Sequence, residues 1–134
     1  MLHDILSRIN TSADIAAAVA EAVAAGELPA AEAAATEALV AGMVASAAPY
    51  GWFAEGAEVF NELSIIDTDG QVYRPDRVVV CGSRAVVVDY KFGARHSGYS
   101  RQVSQYAQML RSMGYEDVEG YLWYAAENNI EKVA

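Results

Sequence analysis

Leu2, Ile5, Leu6 and Ile9 recur at i, i+3, i+4 and i+7, the spacing of one face of a helix. The chain is therefore expected to open on an amphipathic helix. Asn10, Thr11 and Ser12 interrupt it and offer N-caps for a second helix, from about Ala13 to Ala25, with Gly26 as its stop. Pro29 suits the first turn of a third helix over Ala30–Ala47. Pro49, Gly51 and the aromatic residues Tyr50, Trp52 and Phe53 then mark a loop and a change of character.

From residue 58 the pattern is that of strands. EVFNELSII (58–66) predicts one strand, with DTDG as a turn after it. QVYRPDRVVV (71–80) predicts a second strand, CGSR a second turn, and AVVVDYK (85–91) a third strand. The loop FGARHSG leads to a helix from about Tyr99 to Met113, stopped by Gly114. VEGYLWYA predicts a fourth strand and NIEKVA a short fifth at an edge. Residues 78–80 and 85–88 are apolar at consecutive positions, which predicts a central sheet covered on both faces. The fold class is α/β. A mixed sheet is expected, with a three-strand antiparallel meander and a further strand after a helix, flanked by helices. No linker or repeat divides the chain, so one domain over 1–134 is expected, helical over 1–48 and αβ over 58–134.

The formal net charge is −9, with 54% hydrophobic residues, too apolar for a disordered chain. A single cysteine, Cys81, forms no internal disulfide and fits a reducing compartment. It has no His or Cys spacing for zinc and reads as structural. No apolar run approaches a membrane span, and MLHDILSRIN lacks a signal-peptide core. The expectation is a soluble cytoplasmic protein with no membrane partner. The charge is unevenly spread. Residues 1–73 hold only Arg8 against eleven acids, whereas 74–111 hold Arg74, Arg77, Arg84, Lys91, Arg95, Arg101 and Arg111 against Asp76 and Asp89. Local field, not net charge, decides what a cleft attracts, so an anionic partner such as DNA stays open. A solvated face balanced by acids elsewhere is the plainer alternative.

The third strand poses the chemical question, because a buried apolar run ends in Asp89 and Lys91. With Gly82-Ser83 as a two-residue hairpin loop, Cys81 faces Arg84 and Asp76 faces Asp89. Opposed residues have Cβ atoms roughly 5 Å apart. Carboxylates so placed repel, unless one is protonated or a cation lies between them. Oxygen ligands suit Mg2+ or Mn2+ better than zinc. Period two puts Lys91 on the same face. In the preceding turn, a three-residue Thr68-Asp69-Gly70 loop aligns Glu62 with Asp76, whereas a two-residue Asp69-Gly70 loop breaks that alignment. Capping of a strand as it leaves the core is the simpler account of Asp89 and Lys91.

Glu62, RPD (74–76), VVVDYK (86–91) and the QxxxY pair Gln102 and Tyr106 resemble the core of the PD-(D/E)xK nuclease superfamily. In order and spacing they resemble the RecB-type nuclease family, found at the C-terminus of UvrD/Rep-like helicases. The resemblance implies a restriction-endonuclease-like core and a Mg2+- or Mn2+-dependent deoxyribonuclease acting in DNA repair or recombination. It implies Asp76 and Asp89 as metal ligands, with His3 of LHDILSRI as a further ligand. Glu62 matches an upstream acid found in many superfamily members. Lys91 would position or activate the attacking water and steady the scissile phosphate. Gln102 and Tyr106 share a helix face at i, i+4 and would line the site or touch DNA. Arg74, Arg95 and Arg101 would contact the backbone without reading bases. Family members carry more sequence ahead of the histidine, which points to a fragment of a larger helicase-nuclease with a helicase domain as partner. The alternative function is a catalytically silent DNA-binding or helicase-docking module derived from a nuclease. Without the resemblance, His3 reads as a surface residue, Tyr106 as a core aromatic and Gln102 as exposed. His96 and Arg95 face phosphate or solvent, and Tyr121, Trp123 and Tyr124 read as sheet packing.

Overall fold

The apolar spacing at the chain start forms a short helix, α1 (Leu2–Leu6), whose face buries Ile5 and Leu6, with Ile9 buried just beyond. Thr11 and Asp14 close a capping box over a single 3-10 turn, Ser12–Asp14. The Asp14 carboxylate accepts the amides of Asn10 and Thr11 at 3.0 and 3.1 Å, satisfying donors that a helix start leaves open. α2 follows over Ile15–Ala24 and buries Ile15, Ala18, Val19 and Ala22. A second 3-10 turn after Pro29 leads into α3, Ala33–Ala47. Both helices are shorter at the N-terminus than their patterns predict, because the first turn tightens to 3-10 geometry. The computed structural model describes all 134 residues, and they form two units, Met1–Gly56 and Ala57–Ala134.

In Ala57–Ala134 the five-stranded sheet has the order β1-β4-β5-β6-β7. Its strands are β1 (Glu58–Asn61), β4 (Arg77–Cys81), β5 (Arg84–Lys91), β6 (Asp117–Tyr124) and β7 (Asn129–Lys132). β2 (Ile65–Ile66) and β3 (Val72–Tyr73) pair apart from it as a two-stranded hairpin. The two long strands expected over 58–66 and 71–80 are therefore each broken. The first breaks at Glu62, which takes a left-handed φ of 56°. The second breaks at Arg74-Pro75-Asp76, where proline has no N–H for a ladder. β1–β4 and β4–β5 are antiparallel, β5–β6 is parallel across α4 (Ser97–Ser112), and β7 is antiparallel at the edge. The sheet is thus mixed and flanked by a helix.

The Gly82-Ser83 hairpin has its expected register, and at the preceding turn the three-residue alternative is the one present. Cys81 faces Arg84 and Arg77 faces Val88. The hairpin β2–β3 closes through Thr68-Asp69-Gly70, with Asp67 N donating to Gln71 O at 3.0 Å. Gly70 has a φ of +82°, which a side chain would strain. The register of β2–β3 continues unchanged into β1–β4, where Asn61 faces Arg77.

α4 buries Val103, Tyr106, Ala107 and Leu110 against Val78, Val80, Ala85, Val87, Val118 and Leu122. Val79, Val86, Val88, Tyr90 and Trp123, on the opposite face, are also buried. Arg77 belongs to that opposite face, fully buried, and donates to Asn61 Oδ1 at 3.1 Å. The approach of α4 to β6 is set at Gly120. A Cβ there would stand 2.8 Å from Val103 Cγ1 and 3.4 Å from Val87 Cγ1. Val103 is β-branched on a helix and holds one rotamer, so it cannot swing away. Gly120→Ala is expected to lower stability by about 1–3 kcal/mol through overpacking, with partial rescue by Val103→Ala. Urea unfolding of the single and double variants checks this, and an unshifted midpoint for Gly120→Ala would show that the helix yields freely.

Candidate functional site

β4 and β5 end together on the α4 side of the sheet. Carried one step past Arg77–Val88, their register opposes Asp76 and Asp89, as the hairpin predicts. One step further it opposes Pro75 and Tyr90, where proline offers no return hydrogen bond. The Tyr90 amide turns to Asp76 Oδ2 at 2.8 Å, and the Asp76 amide donates to Asp89 Oδ1 at 3.2 Å. Each carboxylate is held by a main-chain N–H near the end of the opposing strand. Lys91 Nζ lies 3.1 Å from Asp89 Oδ2. Two opposed acids coexist here because amides and an ammonium group take up their charge. Asp89 is only 3% exposed, so this compensation takes place largely out of water.

Lys91 itself is braced from α4. Its Nζ sits 4.2 Å from the centre of the Tyr99 ring, a cation–π distance. Tyr99 stands in the first turn of α4, where His96 caps the helix by accepting the Gly98 amide at Nδ1, 3.0 Å away. Nothing in the sequence pattern marks Tyr99, since a helix-start tyrosine after a loop has many possible neighbours.

The three-residue loop at Asp67–Gln71 places Glu62 opposite Asp76, and the Glu62 amide donates to Asp76 O at 3.0 Å. Carboxylate oxygens of Glu62 and Asp76 lie within 4.8 Å of each other. Left-handed φ at a non-glycine residue costs about 1–2 kcal/mol, and here it falls on a candidate ligand. The turned backbone lets Arg74 Nε donate to Glu62 O at 3.0 Å while Arg74 Nη2 meets Glu62 Oε2 at 3.3 Å.

Tyr106 and Gln102 reach the same place from α4. Burial pushes the Tyr106 hydroxyl up to about 12, and the negative charges of Asp89 and Asp76 add to the rise. A hydrogen bond with Gln102 works against it. The phenol is therefore a neutral O–H group beside two carboxylates. On the opposite face burial pushes Tyr90 up to about 12, against the lowering influence of Arg77.

The basic window is less open than its sequence suggests. Arg74 pairs with Glu62, Arg84 with Glu119 and Asp117, and Arg95 with Glu131 at 2.6 Å and Glu127 at 3.6 Å. Arg77 is buried, and Arg111 donates to Val118 O. Arg101 stands exposed on α4. Arg95 also stacks 4.2 Å over Tyr124, which is the β6 neighbour of Lys91. The sequence window missed these acids because they arrive from the end of β1, from β6 and β7 and from the turn between the last two. Tyr121, Trp123 and Tyr124 are buried in the sheet. Cys81 is exposed at the end of β4. His3 lies on α1 of Met1–Gly56, half-buried, with Nδ1 3.9 Å from Asp4 Oδ1.

The chain matches no protein-family model and none of the curated proteins. The chemistry of the site therefore stands on its residues. The site brings carboxylate oxygens of Glu62 and Asp76 close together, with the Asp89–Lys91 pair and one phenol beside them. That set can hold a hard divalent cation and face a phosphate.

Two outcomes follow. Tyrosine has an ordinary pKa near 10, and raised folded values mean the unfolded chain loses these protons first. The contribution of Tyr106 and Tyr90 is fully present below pH 10 and is lost as pH rises toward about 12. Phenolate absorbance should show at least two tyrosines lagging, with urea stability falling across that window. All eight tyrosines ionising together in the folded protein would contradict it. Glu62→Gly relieves the left-handed φ but removes a carboxylate. Stability should be unchanged or higher by up to about 1 kcal/mol, while Mn2+ affinity falls in calorimetric titration. A clear loss of stability would make Glu62 a structural residue.

Proposed function

We propose that Ala57–Ala134 is the core of a divalent-cation-dependent nuclease that hydrolyses phosphodiester bonds in DNA. The observation that carries this reading is the convergence of Asp76, Asp89 and Lys91 at one end of the β4–β5 ladder, under Gln102 and Tyr106. The motif set resembles that of RecB-type nucleases, with a restriction-endonuclease-like sheet and a role beside a helicase in repair or recombination.

Asp76 and Glu62 offer oxygen donors close enough to share a cation, and Asp89, bonded to the Asp76 amide and paired with Lys91, is the further ligand that the resemblance implies. Each of these oxygens has more than one lone-pair direction, so an accepted amide leaves capacity for a cation. The donor chemistry fits Mg2+ or Mn2+. Such an ion, when bound, would polarise the phosphate and lower the pKa of a water. Lys91 presents a positive charge between Asp89 and the Tyr99 ring. Held there, it steadies charge that develops on the phosphate oxygens and orients the attacking water. Tyr106 keeps its proton at any physiological pH and offers a hydrogen bond without adding charge. The ion pairs of Arg74 and Arg95 are surface pairs worth about 0–1 kcal/mol, so phosphate groups exchange into them at little cost. Arg101 needs no such exchange.

Labelled single- and double-stranded DNA, with Mg2+ or Mn2+ and an EDTA control, tests the reading. Asp89→Asn and Lys91→Ala should each reduce cleavage on the order of 100-fold, and Lys91→Ala should retain cation binding. DNA binding should fall with salt at a log–log slope near −0.7 to −0.9 per phosphate contacted. DNA binding without cleavage or cation binding would instead identify the silent module.

A further inference from the structure

The α4 surface carries a second feature beyond the carboxylates. Tyr73, Gln105, Gln108, Met109 and Ser112 line an open cleft of about 350 Å³. No charged residue lines it, so it is not built for phosphate. Its chemistry is two carboxamides, a hydroxyl, a thioether and an aromatic ring. Carboxamides match the donor and acceptor edges of a nucleobase, while a tyrosine ring and a thioether supply a polarisable surface against its face.

The cleft is also tied to the site already described. Tyr73 meets Tyr106 edge-on, ring centres 6.2 Å apart at 86°, and Tyr106 is the phenol that feels Asp89 and Asp76. Along α4, Gln102, Gln105, Met109 and Ser112 follow one another at three- and four-residue spacing, which makes them one ridge. That ridge leads from the QxxxY pair into the cleft. Tyr73 is held in place, since its hydroxyl donates to Gln71 Oε1 at 2.9 Å. A ring so restrained gives up little entropy on stacking. Gln105 and Gln108 are exposed, and their amides remain available.

We infer that this cleft binds one unpaired nucleobase of single-stranded DNA next to the scissile phosphate. A base within a duplex is stacked and paired and cannot enter. The inference rests on the nuclease reading for its position relative to cleavage, but the binding itself does not. It adds a base contact to the backbone contacts expected of Arg74, Arg95 and Arg101.

The test compares two fluorescent oligonucleotides of equal length and charge, one of thymidines and one with abasic residues at its centre. Anisotropy is read on the full chain, with Ca2+ in place of Mg2+. The thymidine strand should bind about ten-fold tighter, in the range that one stacked base confers. Annealing it to its complement should abolish the preference. Tyr73→Leu and the double variant Gln105→Ala/Gln108→Ala should each lose it, and Tyr73→Phe should keep it. The double variant replaces exposed helix residues with a better helix former, so it decides the matter if Tyr73→Leu disturbs the hairpin. Equal binding of the two strands, or a preference intact in the double variant, overturns the inference. Cleavage without a base preference leaves the nuclease reading standing and removes the cleft. A base preference without cleavage does the reverse.

Discussion

The pair of hydrogen bonds by which Asp76 accepts the Tyr90 amide and gives its own amide to Asp89 is the constraint on which the rest of the site depends. A ladder of two strands can end by fraying, which would leave the Tyr90 amide without a partner in a buried place. Such a loss costs about 1–3 kcal/mol. Pro75 forces the ending, and Asp76, next in the chain, supplies the substitute acceptor at 2.8 Å. Asp89 accepts the Asp76 amide. The adjacency of proline and aspartate thus has a direct physical purpose. One residue stops the ladder, and the other repairs its last bond with a carboxylate that ends on the helix side of the sheet.

From that clasp the neighbouring geometry follows. Asp89 is fixed in a nearly dry position, so Lys91, two residues on, has a strong reason to stay beside it. α4 then closes on the same face with Tyr99 under Lys91 and Tyr106 beside the carboxylates. The closeness of α4 requires the missing side chain at Gly120, because Val103 fills that space. On the other side of β4, Glu62 accepts an unfavourable φ so that the strand can leave the sheet and its amide can reach Asp76 O. A site assembled this way is held in place by its own hydrogen bonds and ion pairs before any ligand arrives.

Charge is the point at which local sequence and folded surface differ most. A stretch of seven bases and two acids looks like a phosphate-binding face. In the fold, Glu62, Asp117, Glu119, Glu127 and Glu131 come to meet three arginines of that stretch, Arg74, Arg84 and Arg95. These acids belong to other elements, so no window along the chain reveals them. What remains near the site is an ammonium, surface ion pairs and an uncharged cleft.

The sequence by itself determined the elements with strong periodicity and the register of the Gly82-Ser83 hairpin. A period of two then places Asp76, Asp89 and Lys91 on one face. This was legible because turn chemistry and strand alternation act over a few residues. The choice of the three-residue Thr68-Asp69-Gly70 loop, and with it the place of Glu62 opposite Asp76, was decided by the folded structure. Tertiary structure alone decided that the strands over 58–66 and 71–80 break, since the break depends on which ladder each amide can join. It alone decided that Tyr99 braces Lys91, that Tyr73 reaches Tyr106, and that distant acids cover the arginines. Those outcomes depend on how α4 packs across β5 and β6, a distance in space that no short-range pattern encodes.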